Sequence, residues 1–348
     1  MDEIKPLDVI LHLLDPKSIK IDGKISVLCS DPLLLDESLK LAERNGLYYL
    51  ALTKLVEFTG DKSLFETQRW HSEMNKLSGY KECLKLLNVM LESREFDYLL
   101  IKACTEFPHV PRDVDIFVHS SDVTEIIKYF NTKGLKCSHS DSVDTTLVKG
   151  DNMKMDLYTG LCYFTASFFD DEFLWNSRDI DYIFDIGISS LNDEANFMVL
   201  LVHSLFGHRS ISLLDLLQMG KLLEKPINLN LCRDIASENG WEDAFGLALK
   251  EIQNLYSQLY NNNSNIKFPY LFDYEFIMRC ISGIDDLNMS KENELFLRLS
   301  LIHDKIGFST KDTIIYNTIK SCGPARSFCN NVGHFIRKRR GDQRSGEK

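Results

Sequence analysis

A chain of 348 residues is long enough for two domains or one large one, and its 44% hydrophobic and 26% charged content excludes wholesale disorder. The net charge of -11 excludes a generally basic nucleic-acid-binding surface, though not a local patch. No run of about 18 apolar residues occurs, and the N-terminus lacks the basic-then-apolar order of a secretory signal, so a soluble, cytoplasmic protein with no membrane partner is expected.

Residues 1–95 read as a helical region. Asp36 to Gly46 begins with acids and stops at Asn-Gly, and Leu47 to Phe58 resumes an apolar pattern of helical period. Tyr80 to Ser93 places Leu84, Leu87 and Leu91 on one face. From Phe96 the character changes to short β-branched and aromatic runs, which opens an α+β or α/β core over 96–191. Tyr98 to Lys102 and Asp115 to Val118 are predicted strands. Ser120-Ser-Asp-Val-Thr-Glu reads as an N-cap with acids in the first turn of a helix ending near Lys133-Gly134. Lys136 to His139, Thr145 to Lys149 and Met153 to Tyr158 supply three more strands. After Asn192 the chain is helical again, with helices over Asp193 to Phe206, Ser212 to Leu223 and Glu242 to Tyr260, then an Asn-rich turn at 261–265. These form a helical domain over 192–336. The basic tail over 337–348, with Arg337, Lys338, Arg339 and Arg340, reads as disordered.

Nine cysteines are dispersed from Cys29 to Cys329 with no C-x-x-C pair, and the histidines lack zinc spacing. Reduced, mostly buried thiols are expected, and no zinc site. Chemistry concentrates instead between Tyr98 and Val118. Alternation along the second strand puts Asp113 and Asp115 on one face, with Val114 and Ile116 on the other. Two acids pointing the same way repel unless a cation or proton sits between them. Mg²⁺ takes oxygen ligands from one or two carboxylates plus substrate phosphates. Asp156, on the later strand Met153 to Tyr158, is the expected third acid. The same D-x-D pattern recurs at Asp179 and Asp181, but after the acidic, aromatic loop Phe168 to Trp175 and without a strand-and-helix frame; this pair is expected to be structural. His203 reads as a satisfied core histidine. Asp215 reads either as a helix-capping acid after Ser210-Ile-Ser212 or as a polar contact reaching the site.

Four segments carry a family likeness: Ile101-Lys-Ala103; Arg112-Asp-Val-Asp-Ile-Phe-Val118; Met155-Asp-Leu-Tyr158; and the helix with His203, followed by Leu213-Leu-Asp-Leu-Leu217. From Leu33 to about Leu223 the chain resembles the uncharacterised nucleotidyltransferase family of the DNA polymerase beta-like superfamily. The resemblance implies an α+β fold, a small mixed β-sheet nucleotidyltransferase core flanked by N-terminal and C-terminal helical regions. It implies metal-dependent transfer of a nucleoside monophosphate from a nucleoside triphosphate, ATP among them, to a hydroxyl-bearing acceptor, with pyrophosphate release. The acceptor is left open among small molecules, proteins and RNA. Asp113, Asp115 and Asp156 would be the catalytic ligands of Mg²⁺ or Mn²⁺. Lys102, Ala103, Cys104 and Arg112 would bind the nucleotide. Two positions depart from the family pattern: its glycine turn is Ala103-Cys104 here, and its Asp-Leu-His is Asp-Leu-Tyr. They keep an alternative open, a catalytically inactive nucleotide-binding or regulatory module, or an interaction scaffold, on the same fold.

Overall fold

The computed structural model describes residues 5–14, 31–93, 96–103, 107, 109–140, 144–150, 153–163, 166–208, 210–260, 270–272, 276 and 280. The Asn-rich turn, the basic tail, Arg209 and Cys104 lie outside the described residues.

The N-terminal stretch is helical: α1 (Pro6–Leu14), α2 (Pro32–Arg44), α3 (Tyr48–Thr59), a short 3₁₀ turn (Lys62–Glu66) and α4 (Gln68–Ser93). Asp31 starts α2 by accepting the Leu33 and Leu34 amides, ahead of Pro32 at the first helical position. Gly60, at φ 72°, ends α3 in the left-handed conformation that only glycine adopts freely. α4 begins twelve residues before the Tyr80 to Ser93 stripe. Its large buried apolar side chains run from Leu77 through Tyr80, Cys83, Leu84, Leu87 and Met90, so the polar first turns before Leu77 carry little periodic signal.

The core follows in chain order as β1 (Tyr98–Leu100), β2 (Val114–Val118), α5 (Val123–Thr132), β3 (Lys136–Ser140), β4 (Asp144–Lys149), β5 (Met153–Tyr158), β6 (Cys162–Tyr163), β7 (Ala166–Ser167), α6 (Asp171–Asn176), β8 (Arg178–Ile183) and β9 (Ile186–Leu191). Seven strands form one sheet in the order β3-β4-β5-β2-β1-β9-β8, with β6 and β7 pairing separately. β2–β5 and β1–β9 are parallel and the other neighbours antiparallel, so the sheet is mixed and the fold is α+β, as expected.

One expectation is corrected here. Phe168 to Trp175 is not simply a loop: Asp170 caps the Glu172 amide and starts α6, and Asp179 and Asp181 lie on the regular edge strand β8. The β8–β9 turn places Phe184 and Asp185 at φ 51° and 62°, the mirror-type hairpin geometry, without the Asn-Gly or Gly-containing pair that announces it in a sequence.

The two faces of the sheet pack on different layers. Val114, Ile116, Val118, Met155 and Leu157 join α4 and α5 residues such as Leu84, Leu87, Ile126 and Phe130 in one apolar cluster. On the opposite face Leu99, Ile101 and Phe117 join the N-terminal helices and the C-terminal ones. The latter are α7 (Asp193–Val202), a π-helical turn (His203–His208), α8 (Leu213–Glu224), α9 (Leu229–Glu238) and α10 (Glu242–Tyr260), with β10 (Ser210–Ile211) paired to β11 (Tyr270–Leu271). Among the described residues, no helix is long and apolar enough to cross a membrane.

Candidate active site

β2 and β5 run parallel with Asp115 directly opposite Asp156. Side chains alternate along a strand, so Asp115 and Phe117 share the face opposite Val114 and Ile116, and Lys154, Asp156 and Tyr158 share the matching face of β5; Asp113, immediately before β2, meets Lys154 on the same side. The three acids expected from the sequence line one cavity, Asp115 and Asp156 on adjacent strands and Asp113 at the entry to β2. Among the described residues, no three His, Cys, Asp or Glu side chains converge closely enough to hold a metal ion as they stand. Ammonium groups pair with the carboxylates instead. Lys154 Nζ lies 2.9 Å from Asp113 Oδ2 and 2.5 Å from Asp156 Oδ2, while Lys102 Nζ lies 2.9 Å from Asp115 Oδ2. Thr146, which pairs with Asp156 across β4–β5, donates its hydroxyl to Asp156 Oδ1 at 2.6 Å.

Burial raises the Asp115 carboxyl above the ordinary aspartate value; Lys102 pulls it back, and Asp113 and Asp156 push it further up. For Lys154 burial works against the charged form, but Asp113 and Asp156 outweigh it and hold the ammonium above the usual lysine value.

Lys102 leaves β1 with φ 57°, a left-handed conformation that costs a non-glycine residue on the order of 1–3 kcal/mol. Ala103 is not among the residues with positive φ, so an alanine at the family's glycine position carries no left-handed penalty here. The strain sits one residue earlier. Lys102 Nζ also lies 5.2 Å from the centre of the Tyr158 ring, so the tyrosine of Asp-Leu-Tyr supports the same ammonium that pairs with Asp115. Arg112 is exposed and is not among the residues lining the cavity in front of the acids.

That cavity measures about 940 Å³. The sheet contributes Lys102, Asp113, Asp115, Thr146, Lys154 and Asp156, and the C-terminal helical stretch contributes Leu200, His203, His208, Leu214, Asp215 and Gln218. His203 is half-buried on this wall rather than enclosed in the core, its ring 4.3 Å from that of His208. Asp215 fulfils both readings of it: it forms a capping box with Ser212 at the start of α8 and it lines the cavity. Burial raises its carboxyl above the ordinary value, opposed by the Ser212 hydrogen bonds. His109, another lining residue, has its Nδ1 3.1 Å from the Phe107 carbonyl oxygen, and burial pushes its pKa down to about 4.

Sequence reasoning missed Lys154, Thr146, Asn196 and Gln218. Lys154 was within reach of it, since a residue two before Asp156 on a strand shares its face. Thr146 required the β4–β5 register, and the two amides required the tertiary fold. Asp179 and Asp181 stand three strands from β2 and line no part of the cavity; Asp181 accepts the Ser190 hydroxyl at 2.6 Å.

No family model matches the chain, and no curated protein matches it. Among solved structures, a lincosamide antibiotic adenylyltransferase with lincomycin bound is similar to part of it, at 18% identity over 41% of this chain and 95% of that one, with a TM-score of 0.30. An overlap that slight assigns no chemistry, and the site rests on its own geometry.

Proposed function

We propose that the protein is a metal-dependent nucleotidyltransferase that moves a nucleoside monophosphate from a nucleoside triphosphate to a hydroxyl-bearing acceptor. The observation that carries this reading is the placement of Asp115 and Asp156 on two in-register parallel strands, with Asp113 immediately before the first of them, all facing a cavity shared with Lys102. The cavity, about 940 Å³, is within the range of small-molecule and cofactor sites, which run to roughly 1,000 Å³. In this reading the sheet region binds the triphosphate, the helical stretch from Leu200 to Gln218 walls the acceptor side and the N-terminal helices α1–α4 buttress the fold.

The donor set fits Mg²⁺ or Mn²⁺. All three side chains offer hard oxygen donors, and both competing ammonium groups ride on flexible four-carbon stems that a dication can displace. Asp113, Asp115 and Asp156 would hold the metal, which when bound neutralises charge on the triphosphate and acidifies the acceptor hydroxyl. The residues of the chain supply the rest. Lys102 offsets negative charge developing on the phosphates, with Arg112 adding positive charge from the solvent side. Asp156, oriented by Thr146, accepts the acceptor's proton. The acceptor oxygen forms its bond to the α-phosphorus as the bond to the bridging oxygen breaks, and pyrophosphate leaves. Leu200 and Leu214 keep part of the cavity wall apolar and limit competing water.

A second reading is favoured by one observation: each of the three acids has an ammonium partner. Such a cavity would hold a nucleotide without transferring it, as a regulatory module. Incubation with Mg²⁺ and α-labelled ATP, GTP, CTP or UTP against a panel of small-molecule, RNA and protein acceptors separates the two. Label transfer with stoichiometric pyrophosphate, lost in Asp115→Asn, supports the enzyme; saturable binding without pyrophosphate supports the module.

A further inference from the structure

The turn that carries Lys102 is pinned from outside the sheet. The Ala103 carbonyl oxygen accepts hydrogen bonds from two side-chain amides, Asn196 Nδ2 at 2.8 Å and Gln218 Nε2. Asn196 belongs to α7 and Gln218 to α8, 93 and 115 residues away in sequence, and they are only 7% and 2% exposed. On the other side of Lys102, the Ile101 amide donates to the Asp115 carbonyl at 3.0 Å. Lys102 is thus bracketed: the sheet holds the residue before it and the C-terminal helices hold the residue after it. Its left-handed φ of 57° persists because both neighbours are fixed.

Asn196 shows that the donor end of the amide is what matters. Among the described residues its buried Oδ1 has no hydrogen-bond partner, a cost that an apolar residue of similar size would avoid. An amide kept there with only its donor used is explained by the carbonyl that it holds. Gln218 brings the second donor to the same oxygen from a different helix, filling both lone pairs.

We infer that Asn196 and Gln218 are positioning residues that lock the Lys102–Ala103 turn and so deliver the Lys102 ammonium to Asp115 and the cavity. They act through Lys102. The clamp also makes the geometry of the phosphate side depend on the packing of α7 and α8, whose residues line the same cavity. The consequence for nucleotide binding rests on the function proposed above; the consequence for Lys102 does not.

Two measurements on the full chain keep these apart. Gln218→Met and Asn196→Leu each remove one donor at similar volume, and Asn196→Ala serves if either fails to fold. Peptide-resolved acylation by an amine-reactive ester reads the accessibility of Lys102. The inference expects Lys102 to react about tenfold faster in each variant, with Lys54 and Lys128, exposed and paired within their own helices, unchanged. A folded variant with an unchanged Lys102 rate overturns the inference. The second measurement is a double-mutant cycle on ATP affinity with Lys102→Met. Gln218→Met should weaken ATP binding in the wild-type background and add nothing once Lys102 is gone; equal losses in both backgrounds also overturn it, because a merely structural role is additive. If Lys102→Met leaves ATP binding unchanged while clamp variants still expose Lys102, the positioning role stands and the nucleotide reading falls.

Discussion

Replacing Lys154 with methionine removes the ammonium between two carboxylates while keeping most of the side-chain volume, and the consequence is readable as stability. The two contacts are unequal. Asp113 is 34% exposed and water takes over when the lysine leaves, whereas Asp156 is 7% exposed and keeps only the Thr146 hydroxyl at 2.6 Å. A hydrogen bond to a charged group is worth about 1.5–3 kcal/mol. Lys154 is itself 38% exposed, so solvent screening trims that range, and a loss of about 1–2 kcal/mol is expected. With an unfolding entropy of about 2.1 cal/mol/K per residue, a 348-residue chain shifts its melting temperature by about 1.4 °C per kcal/mol, so calorimetry in chelator should show a fall of about 1–3 °C. Mg²⁺ offered to the variant supplies positive charge to the same acids. It should restore most of the loss, and it should stabilise the wild type less, because there Lys154 competes for Asp113 and Asp156. An unchanged melting temperature in chelator refutes the energetics of the pairing. A loss that Mg²⁺ does not touch refutes a shared cation site.

Other expectations follow from single positions. His109 has its folded pKa depressed from 6.5 to about 4, so its contribution is present above pH 6.5 and is lost as the pH falls through that window, by about 1.4 kcal/mol per unit. Urea titrations of His109→Gln should show a flatter stability profile between those pH values than the wild type, and an identical slope contradicts the assignment. A Cβ at Gly220 would meet the Tyr256 ring at 2.0 Å, so Gly220→Ala should cost about 1–3 kcal/mol by overpacking, most of it recovered when paired with Tyr256→Ala. Chemical denaturation checks both, and a neutral Gly220→Ala rejects the close α8–α10 contact. Replacing Asp179 and Asp181 with Asn should leave Mg²⁺ affinity unchanged by calorimetric titration. A loss of about tenfold, or 1.4 kcal/mol, would move the metal site to β8.

The sheet was legible wherever alternation met a capped helix. Asp115 to Val118, Thr145 to Lys149 and Met153 to Tyr158 differ from β2, β4 and β5 by at most one residue at an end, because each has one buried face and a turn at its border. The β8–β9 hairpin was not legible. Its outer strand is Arg-Asp-Ile-Asp-Tyr-Ile with Ile180 44% and Tyr182 73% exposed, so the inside-outside alternation is blurred, and its turn lacks glycine. α1 and α9 fall within the stretches read as helical but were not singled out as helices, being short at 9 and 10 residues.

At the site, the shared face of Asp113, Asp115 and Asp156 follows from a period of two and was open to sequence reasoning. The partners of those acids were not. Lys102 reaches Asp115 through a left-handed turn that no propensity favours for lysine, and the clamp on Ala103 joins residues 93 and 115 positions apart. The positive φ of the turn falls at Lys102 and not at Ala103.

The central claim, that Asp113 at the entry to β2, Asp115 on β2 and Asp156 on β5 hold the metal of a nucleotidyl transfer, is tested most directly by Mn²⁺ binding. Electron paramagnetic resonance of Mn²⁺ with a non-hydrolysable triphosphate reads the bound metal without requiring the acceptor. Wild-type protein should bind Mn²⁺ more tightly with the triphosphate than without it. Asp113→Asn, Asp115→Asn and Asp156→Asn should each weaken that binding by about tenfold or more, worth at least about 1.4 kcal/mol. Wild-type affinity in folded Asp115→Asn and Asp156→Asn variants would contradict the account.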